Sequence, residues 1–200
     1  RIAPIPLYGL AQGRISNLDA LDRLAADAAE LTHQHPLGFI PAALISHLIY
    51  RLATDENPEK ETFKEYIKEG LKSIQRMFSN YAEEVEKLVY LVKKAILLSD
   101  ISTDDVRTIE DELGGGWVAE ETVAIAIYCA LTHFENFKRA MIAAVNHAGD
   151  SDSTGAVAGN LLGAATGYDA IPQFYKDDLE LHDVILHIAD DLYHGKTTPK

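Results

Sequence analysis

Apolar residues recur at intervals of three and four along almost the whole chain, and the alternation that a half-buried strand requires is nearly absent. The pattern therefore predicts helices throughout. The first clear stripe is Leu18, Leu21, Leu24, Ala25, Ala28 and Leu31, placed behind Asn17, whose side-chain oxygen suits the free N–H groups of a first helical turn. A second helix, 39–53, is apolar on nearly every face. Asp55-Glu56-Asn57-Pro58 ends it and offers Asn57 as a cap, with Pro58 in the first turn of the next helix, 59–79. That helix and the one at 83–98 carry narrow seams, Phe63-Ile67-Leu71-Ile74-Phe78 and Val85-Leu88-Leu91-Val92-Ala95, in charged surroundings, as outer helices do. Thr103, with Asp104 and Asp105 behind it, predicts the cap and first turn of a short helix ending at Gly114. Beyond the loop Gly114-Gly115-Gly116-Trp117, helices are predicted at 120–132, 140–146, 153–166 and 181–193.

With 200 residues, 47% of them apolar, the chain is long enough to bury one core. It has no repeat, no low-complexity tract and no linker rich in Gly, Ser or Pro. The expectation is a compact, multi-helix, all-α single domain over 1–200. A net charge of −13 provides no basic footprint for a nucleic-acid backbone, and no nucleic-acid partner is expected. The same acidity is compatible with a solvated surface or with a site that collects divalent cations. Cys129 is the single cysteine, set in the apolar stretch 122–131, and reads as an inert core thiol. Lacking a disulfide, a charged-then-apolar leader or a stretch of membrane-spanning length, the chain is expected to be cytoplasmic with no membrane partner. The longest apolar candidate, 155–168, is interrupted by Asn160 and reads as a buried helix.

The chemistry concentrates in Gly149-Asp150-Ser151-Asp152-Ser153-Thr154-Gly155. A hard divalent cation needs several oxygens aimed at one point, and carboxylates two apart on a tight turn can converge on it. Asp150 and Asp152 have that spacing, Ser153 adds a hydroxyl, and a helix opens behind them. Two roles are open on spacing alone: these residues bind a metal, or they cap the helix. The spacing also matches the first half of an EF-hand, but the twelfth position, where that loop needs a bidentate Glu, is Leu161. Gly155, Gly159, Gly163 and Gly167 recur every fourth residue, a stripe that predicts close approach of another helix and a central position for this one.

The run from Asn146-His-Ala-Gly-Asp-Ser-Asp-Ser-Thr-Gly155 through Gly167, followed by Ile171-Pro172, resembles the metal-site signature of the ADP-ribosylglycohydrolase family, the dinitrogenase reductase-activating glycohydrolases among them. In the same order, Leu31-Thr-His-Gln-His-Pro-Leu-Gly38 is similar to the family's histidine segment. Leu113-Gly-Gly-Gly-Trp-Val-Ala-Glu-Glu121 is similar to its glycine-aromatic loop, and Arg1-Ile-Ala-Pro to the start of a mid-chain segment.

The resemblance implies an all-helical cleft that hydrolyses the glycosidic bond of ADP-ribosylated proteins or related conjugates with two Mg²⁺ or Mn²⁺ ions. Asp150, Asp152 and Ser153 then correspond to the C-terminal metal ligands, Ser standing for the commoner Thr. His33 corresponds to a histidine near ADP-ribose, and Gly115 and Trp117 to the loop walling the substrate pocket. Read on their own, His33 and His35 equally suit a helix boundary beside Pro36, and Trp117 equally suits packing. The family's other metal ligands come from an N-terminal Thr-Asp-Asp-Thr-like segment with an assisting acid nearby. Ser102-Thr-Asp-Asp-Val106 imitates those letters in the wrong order relative to the histidine segment and is read as a helix cap. The chain thus resembles the C-terminal half to two-thirds of such an enzyme, without its N-terminal helices. No catalytic residue is assigned, and association with a missing N-terminal fragment is the implied route to a whole site. A non-catalytic family remnant acting in binding or structure is the alternative.

Overall fold

The computed structural model describes residues 2–13, 17–101 and 104–196, and among these every regular element is helical. The helices are α1 Pro4–Gln12, α2 Leu18–Glu30, α3 Pro36–Thr54, α4 Lys60–Met77, α5 Ala82–Ile101, α6 Asp105–Thr108, α7 Ala119–Thr132, α8 Phe137–Val145, α9 Ser151–Ala170 and α10 His182–His194.

Two apolar helices form the centre. In α7 every residue from Thr122 to Leu131 is buried, and α3 buries twelve of its residues, from Leu37 to Leu52. Around this pair lie α2, α4, α5, α8 and α9. The seams of α4 and α5 turn inward, so that Phe63, Ile67, Ile74, Leu88, Val92 and Ala95 are fully enclosed. Each such large side chain contributes roughly 1.5–3 kcal/mol on leaving water. Cys129 is enclosed with them, and burial first, then the neighbouring Asp105 carboxylate, pushes its thiol far above the usual range.

Local signals set several boundaries. Asn17 caps α2, its Oδ1 accepting the Ala20 N–H at 2.8 Å. Asp104 caps α6 by accepting the Arg107 N–H at 3.1 Å, while Thr103, the predicted cap, lies outside the described residues. The cap predicted at Asn57 is not used. The Asp55 side chain accepts the Asn57 N–H at 3.0 Å, which holds the segment in a turn, and the helix begins at Lys60. Helix α1 was not predicted, because Pro4 and Pro6 mask a short segment whose prolines fall in its first turn, where no N–H is needed. The short helix α6 continues as a wide π-turn, Ile109–Leu113, closed by the Gly114 N–H on the Ile109 carbonyl.

Two expectations about apolar segments change. The longest apolar helix is α3, not 155–168: it is 19 residues long and apolar enough to cross a membrane by length and composition, but two thirds of that stretch is buried within the protein. The helix at the centre is α7, not the glycine-striped α9. Of the four glycines, only Gly155 is forced by a close neighbour, since a Cβ there would lie 2.6 Å from Val145 Cγ1. Gly159 has room for ordinary contact with Met141, Gly163 faces open space, and Gly167 breaks the helix at φ 73°. The first half of α9 packs on α7, α3 and α8, and from Thr166 onward its side chains are exposed.

Candidate functional site

Three loops, the first and last more than a hundred residues apart, converge at one end of the α3/α7 pair. The first runs from the end of α2 to α3. The His33 N–H bonds the Ala29 carbonyl at 2.9 Å, and its Nδ1 is 2.9 Å from Thr32 Oγ1. Gly38 packs against it so tightly that a Cβ there would be 2.7 Å from His33 Cβ. His35 serves differently: its Nδ1 accepts the Leu37 N–H at 3.2 Å and caps α3, with Pro36 in the first turn. The boundary role belongs to His35, which leaves the His33 ring at the cleft.

The second loop is 114–118. Gly114 (φ 99°) and Gly116 (φ 73°) occupy backbone conformations that a side chain strains. The Gly116 N–H donates to Glu121 Oε2 at 3.1 Å, and the Gly116 carbonyl accepts from Thr122 Oγ1 at 2.8 Å. The Trp117 indole folds over Gly115, where a Cβ would be 2.7 Å from indole Cδ1, and is 72% exposed at the rim.

The third loop, 146–150, leads into α9. Thr154 Oγ1 donates to the Ala144 carbonyl at 2.6 Å, and the Gly149 N–H donates to His147 Nδ1 at 3.1 Å. The buried His147 ring therefore carries its proton on Nε2 and donates it to Thr154 Oγ1 at 2.9 Å. The second and third loops interlock through backbone. Asp150 N–H donates to the Gly115 carbonyl at 2.7 Å, and the Gly149 Cα lies directly against that carbonyl.

Asp150 occupies the N-cap position of α9 but makes no side-chain capping bond, so its carboxylate is not engaged in satisfying the helix end. Asp152 lies in the first turn. A side-chain hydrogen bond with the Asp150 carboxyl, then the Ser153 N–H at 2.8 Å, hold the Asp152 carboxyl below the usual carboxylate range. The positive end of the helix dipole favours charge in the same place. Among the described residues no Lys, Arg or His ion-pairs with either aspartate. Two adjoining carboxyl groups with a hydroxyl beside them and no cationic partner form a hard oxygen donor set, the kind suited to Mg²⁺ or Mn²⁺. It is a partial set. No group of three or more His, Cys, Asp or Glu converges among the described residues, and such ions take about six oxygens.

A cavity of about 460 Å³ lies between the loops, lined by His33, Gly116, Trp117, Asp150 and Ser153 among others. Its floor is apolar, made by Ala28, Ala29, Pro41, Ala42, Ile45, Val123 and Val157. Of the residues singled out in the sequence, four therefore meet in one cavity wall. Asp152 stands just outside it, and Gly115 lies behind Trp117, supporting rather than lining. Sequence reasoning missed Asn160, Thr122, Glu121, Gly149 and His147. A signal existed for Asn160, a lone amide in an apolar helix seven residues after Ser153 and so on the same face. Glu121, Thr122 and His147 act through contacts within their own loops, two to seven residues apart, whose geometry no periodicity reports, and Gly149 acts through its contact with the distant Gly115.

The family model described as ADP-ribosylglycohydrolase matches residues 1–200. ADP-ribosylhydrolase ARH3 of Gallus gallus is 25% identical over 212 residues, covering 96% of this chain and 55% of the relative. ADP-ribosylhydrolase ARH3 of Homo sapiens is 25% identical over 194 residues, covering 89% and 53%. ADP-ribosylhydrolase ARH1 of Dictyostelium discoideum is 23% identical over 215 residues, covering 88% and 55%. The chain spans about half the length of the curated relatives it matches.

Proposed function

The chain belongs to the ADP-ribosylglycohydrolase family, and from that premise we propose that it forms the ADP-ribose-binding and half of the metal-binding wall of a hydrolase acting on ADP-ribosylated proteins or related conjugates. The observation that carries this reading is the single cavity shared by His33, Trp117, Asp150 and Ser153, residues brought together from three separate segments. Cavities of this size with an apolar floor and a few convergent polar groups are what small-ligand sites use.

Asp150, Asp152 and Ser153 are the residues that would hold Mg²⁺ or Mn²⁺, and a bound cation would neutralise diphosphate charge and polarise an oxygen of the substrate. The exposed Trp117 indole offers a flat face for a ribose or adenine ring. His33, held by Gly38, offers a ring nitrogen to a ribose hydroxyl or phosphate oxygen. The overall reaction adds water across the glycosidic bond: its oxygen ends on the anomeric carbon and a proton goes to the leaving group. The partial donor set supports a further element of the reading, namely that the remaining ligands and the assisting acid come from polypeptide other than these 200 residues, as a further segment or an associated fragment. It equally supports a second reading, a protein of this family that binds ADP-ribose without cleaving it.

Release of ADP-ribose from a modified protein or small conjugate, dependent on Mg²⁺ or Mn²⁺ and abolished by Asp152→Ala, would establish the hydrolase reading. Binding of ADP-ribose and Mg²⁺ by calorimetry without release would select the binding reading. Absence of both would overturn the two together.

A further inference from the structure

We infer that Glu121 is a positioning residue of the site: its carboxylate locks the 114–117 loop and, through the Gly115 carbonyl, sets the register of Asp150. The functional part of this inference rests on the reading proposed above; the structural part does not.

Glu121 is the third residue of α7, whose N-cap is Val118. A glutamate at that position ordinarily turns back to the N-cap's own N–H group. Here the carboxylate reaches two residues further and accepts the Gly116 N–H at 3.1 Å. It also lies against Gly114, where a Cβ would fall 2.6 Å from Glu121 Cδ and 2.8 and 2.9 Å from its oxygens. Gly114 (φ 99°) and Gly116 (φ 73°) flank Gly115, so the carboxylate bonds one end of a three-residue arch and packs against the other. The peptide at the top of that arch presents the Gly115 carbonyl to the Asp150 N–H at 2.7 Å, and the Gly115 Cα makes room for the Trp117 indole.

One carboxylate thus governs two walls of the cavity, the aromatic rim and the aspartate loop. Glu121 is not itself among the residues lining that cavity, and the nearby Lys87 ammonium is engaged with Glu120 at 2.6 Å. Lys87 is held above the usual ammonium range first by its hydrogen bond to Glu120 and, to a smaller degree, by the nearby Glu121 charge. Among the described residues the Glu121 carboxylate enters no ion pair, and its hydrogen bond goes to the loop. Groups that orient a ligand from behind in this way typically alter metal affinity by about 10–100-fold when removed.

The test compares E121A, E121D and E121Q in the 200-residue chain, with N17A, which removes the cap of α2, as a destabilised control. Amide hydrogen exchange at Gly116 and Asp150 reads the geometry directly, and calorimetry with Mg²⁺ and with ADP-ribose reads its consequence. Asp keeps the charge but is one methylene too short to reach Gly116, whereas Gln keeps an oxygen acceptor in place. The expected result is exchange at Asp150 faster by about tenfold in E121A and E121D, with ligand affinities falling by a similar factor. E121Q should stay within about threefold of the parent because its carbonyl still accepts the bond. Should E121A fail to fold, E121D and E121Q carry the comparison. The inference is overturned if Asp150 exchange in E121D moves no more than in N17A, since Glu121 is then only a helix cap. If the parent chain binds neither Mg²⁺ nor ADP-ribose, the functional reading fails while exchange at Asp150 still decides the role of Glu121.

Discussion

Two alanine substitutions fourteen positions apart should act with opposite sign, and the difference comes entirely from what each glycine touches. At Gly149 an added Cβ would overlap the Gly115 carbonyl oxygen and lie 2.5 Å from its carbon and 2.7 Å from Gly115 Cα. Carbon atoms rest in contact at about 3.5–4.0 Å, so the two backbones must separate by about 1 Å. That displacement carries the Asp150 N–H to Gly115 carbonyl bond, 2.7 Å in the native structure, to the edge of bonding distance. Losing a partly buried backbone bond costs about 1–3 kcal/mol, and forcing extra volume into a packed contact costs about 1–3 kcal/mol more. Gly149→Ala should therefore destabilise by roughly 2–6 kcal/mol. At Gly163, inside α9, no atom lies within 4 Å of the added Cβ, and Gly163→Ala should stabilise by about 0.5–1 kcal/mol through the lower entropy of the unfolded chain. Urea unfolding followed by helical circular dichroism measures both. Trp117, the only tryptophan, reports the rim loop separately by fluorescence. A Gly149→Ala variant within about 0.5 kcal/mol of the parent, with unchanged Trp117 emission, would refute the interlocked-loop geometry.

Three further outcomes follow from other parts of the molecule. Asp152→Ala should lower Mg²⁺ affinity at least about tenfold in calorimetry yet leave the unfolding midpoint nearly unchanged, because the side chain is exposed; unaltered Mg²⁺ binding would remove Asp152 from the donor set. Asp100 is held below the usual carboxylate range first by a hydrogen bond from the Lys64 ammonium at 2.8 Å, with Lys60 at 3.1 Å. A lowered native pKa stabilises above the unfolded-state value and loses that contribution as pH falls through the native one. Asp100→Asn should flatten the acid side of the stability profile below about pH 4, by no more than about 1 kcal/mol for so exposed a group, and a profile parallel to the parent's would contradict it. Cys129 should resist a thiol-specific reagent in the folded protein and react fully in urea, because burial excludes both reagent and thiolate; rapid labelling of the native chain would show that its core position is wrong.

Several features were legible because their causes are local. Helical periodicity reports which face of each segment will meet apolar neighbours, and Asn17, followed three residues later by the amide it accepts, sets a boundary without help from the rest of the chain. The spacing of Asp150, Asp152 and Ser153 places three oxygens on one helical turn wherever that turn sits. The spacing did not decide between cap and ligand. The folded chain shows only that the Asp150 carboxylate does not cap the helix, while Asp152 accepts the Ser153 N–H in its first turn; metal ligation stays the proposal made above. The meeting of His33, Trp117 and Asp150 and the contact of Gly149 with Gly115 belong to tertiary structure. So does the choice of α7 over the glycine-striped α9 as the central helix. A glycine has the same letter whether it faces open space, as Gly163 does, or another backbone, as Gly149 does. The physical reason is that close approach is a relation between segments distant in sequence, and it leaves no period along either one.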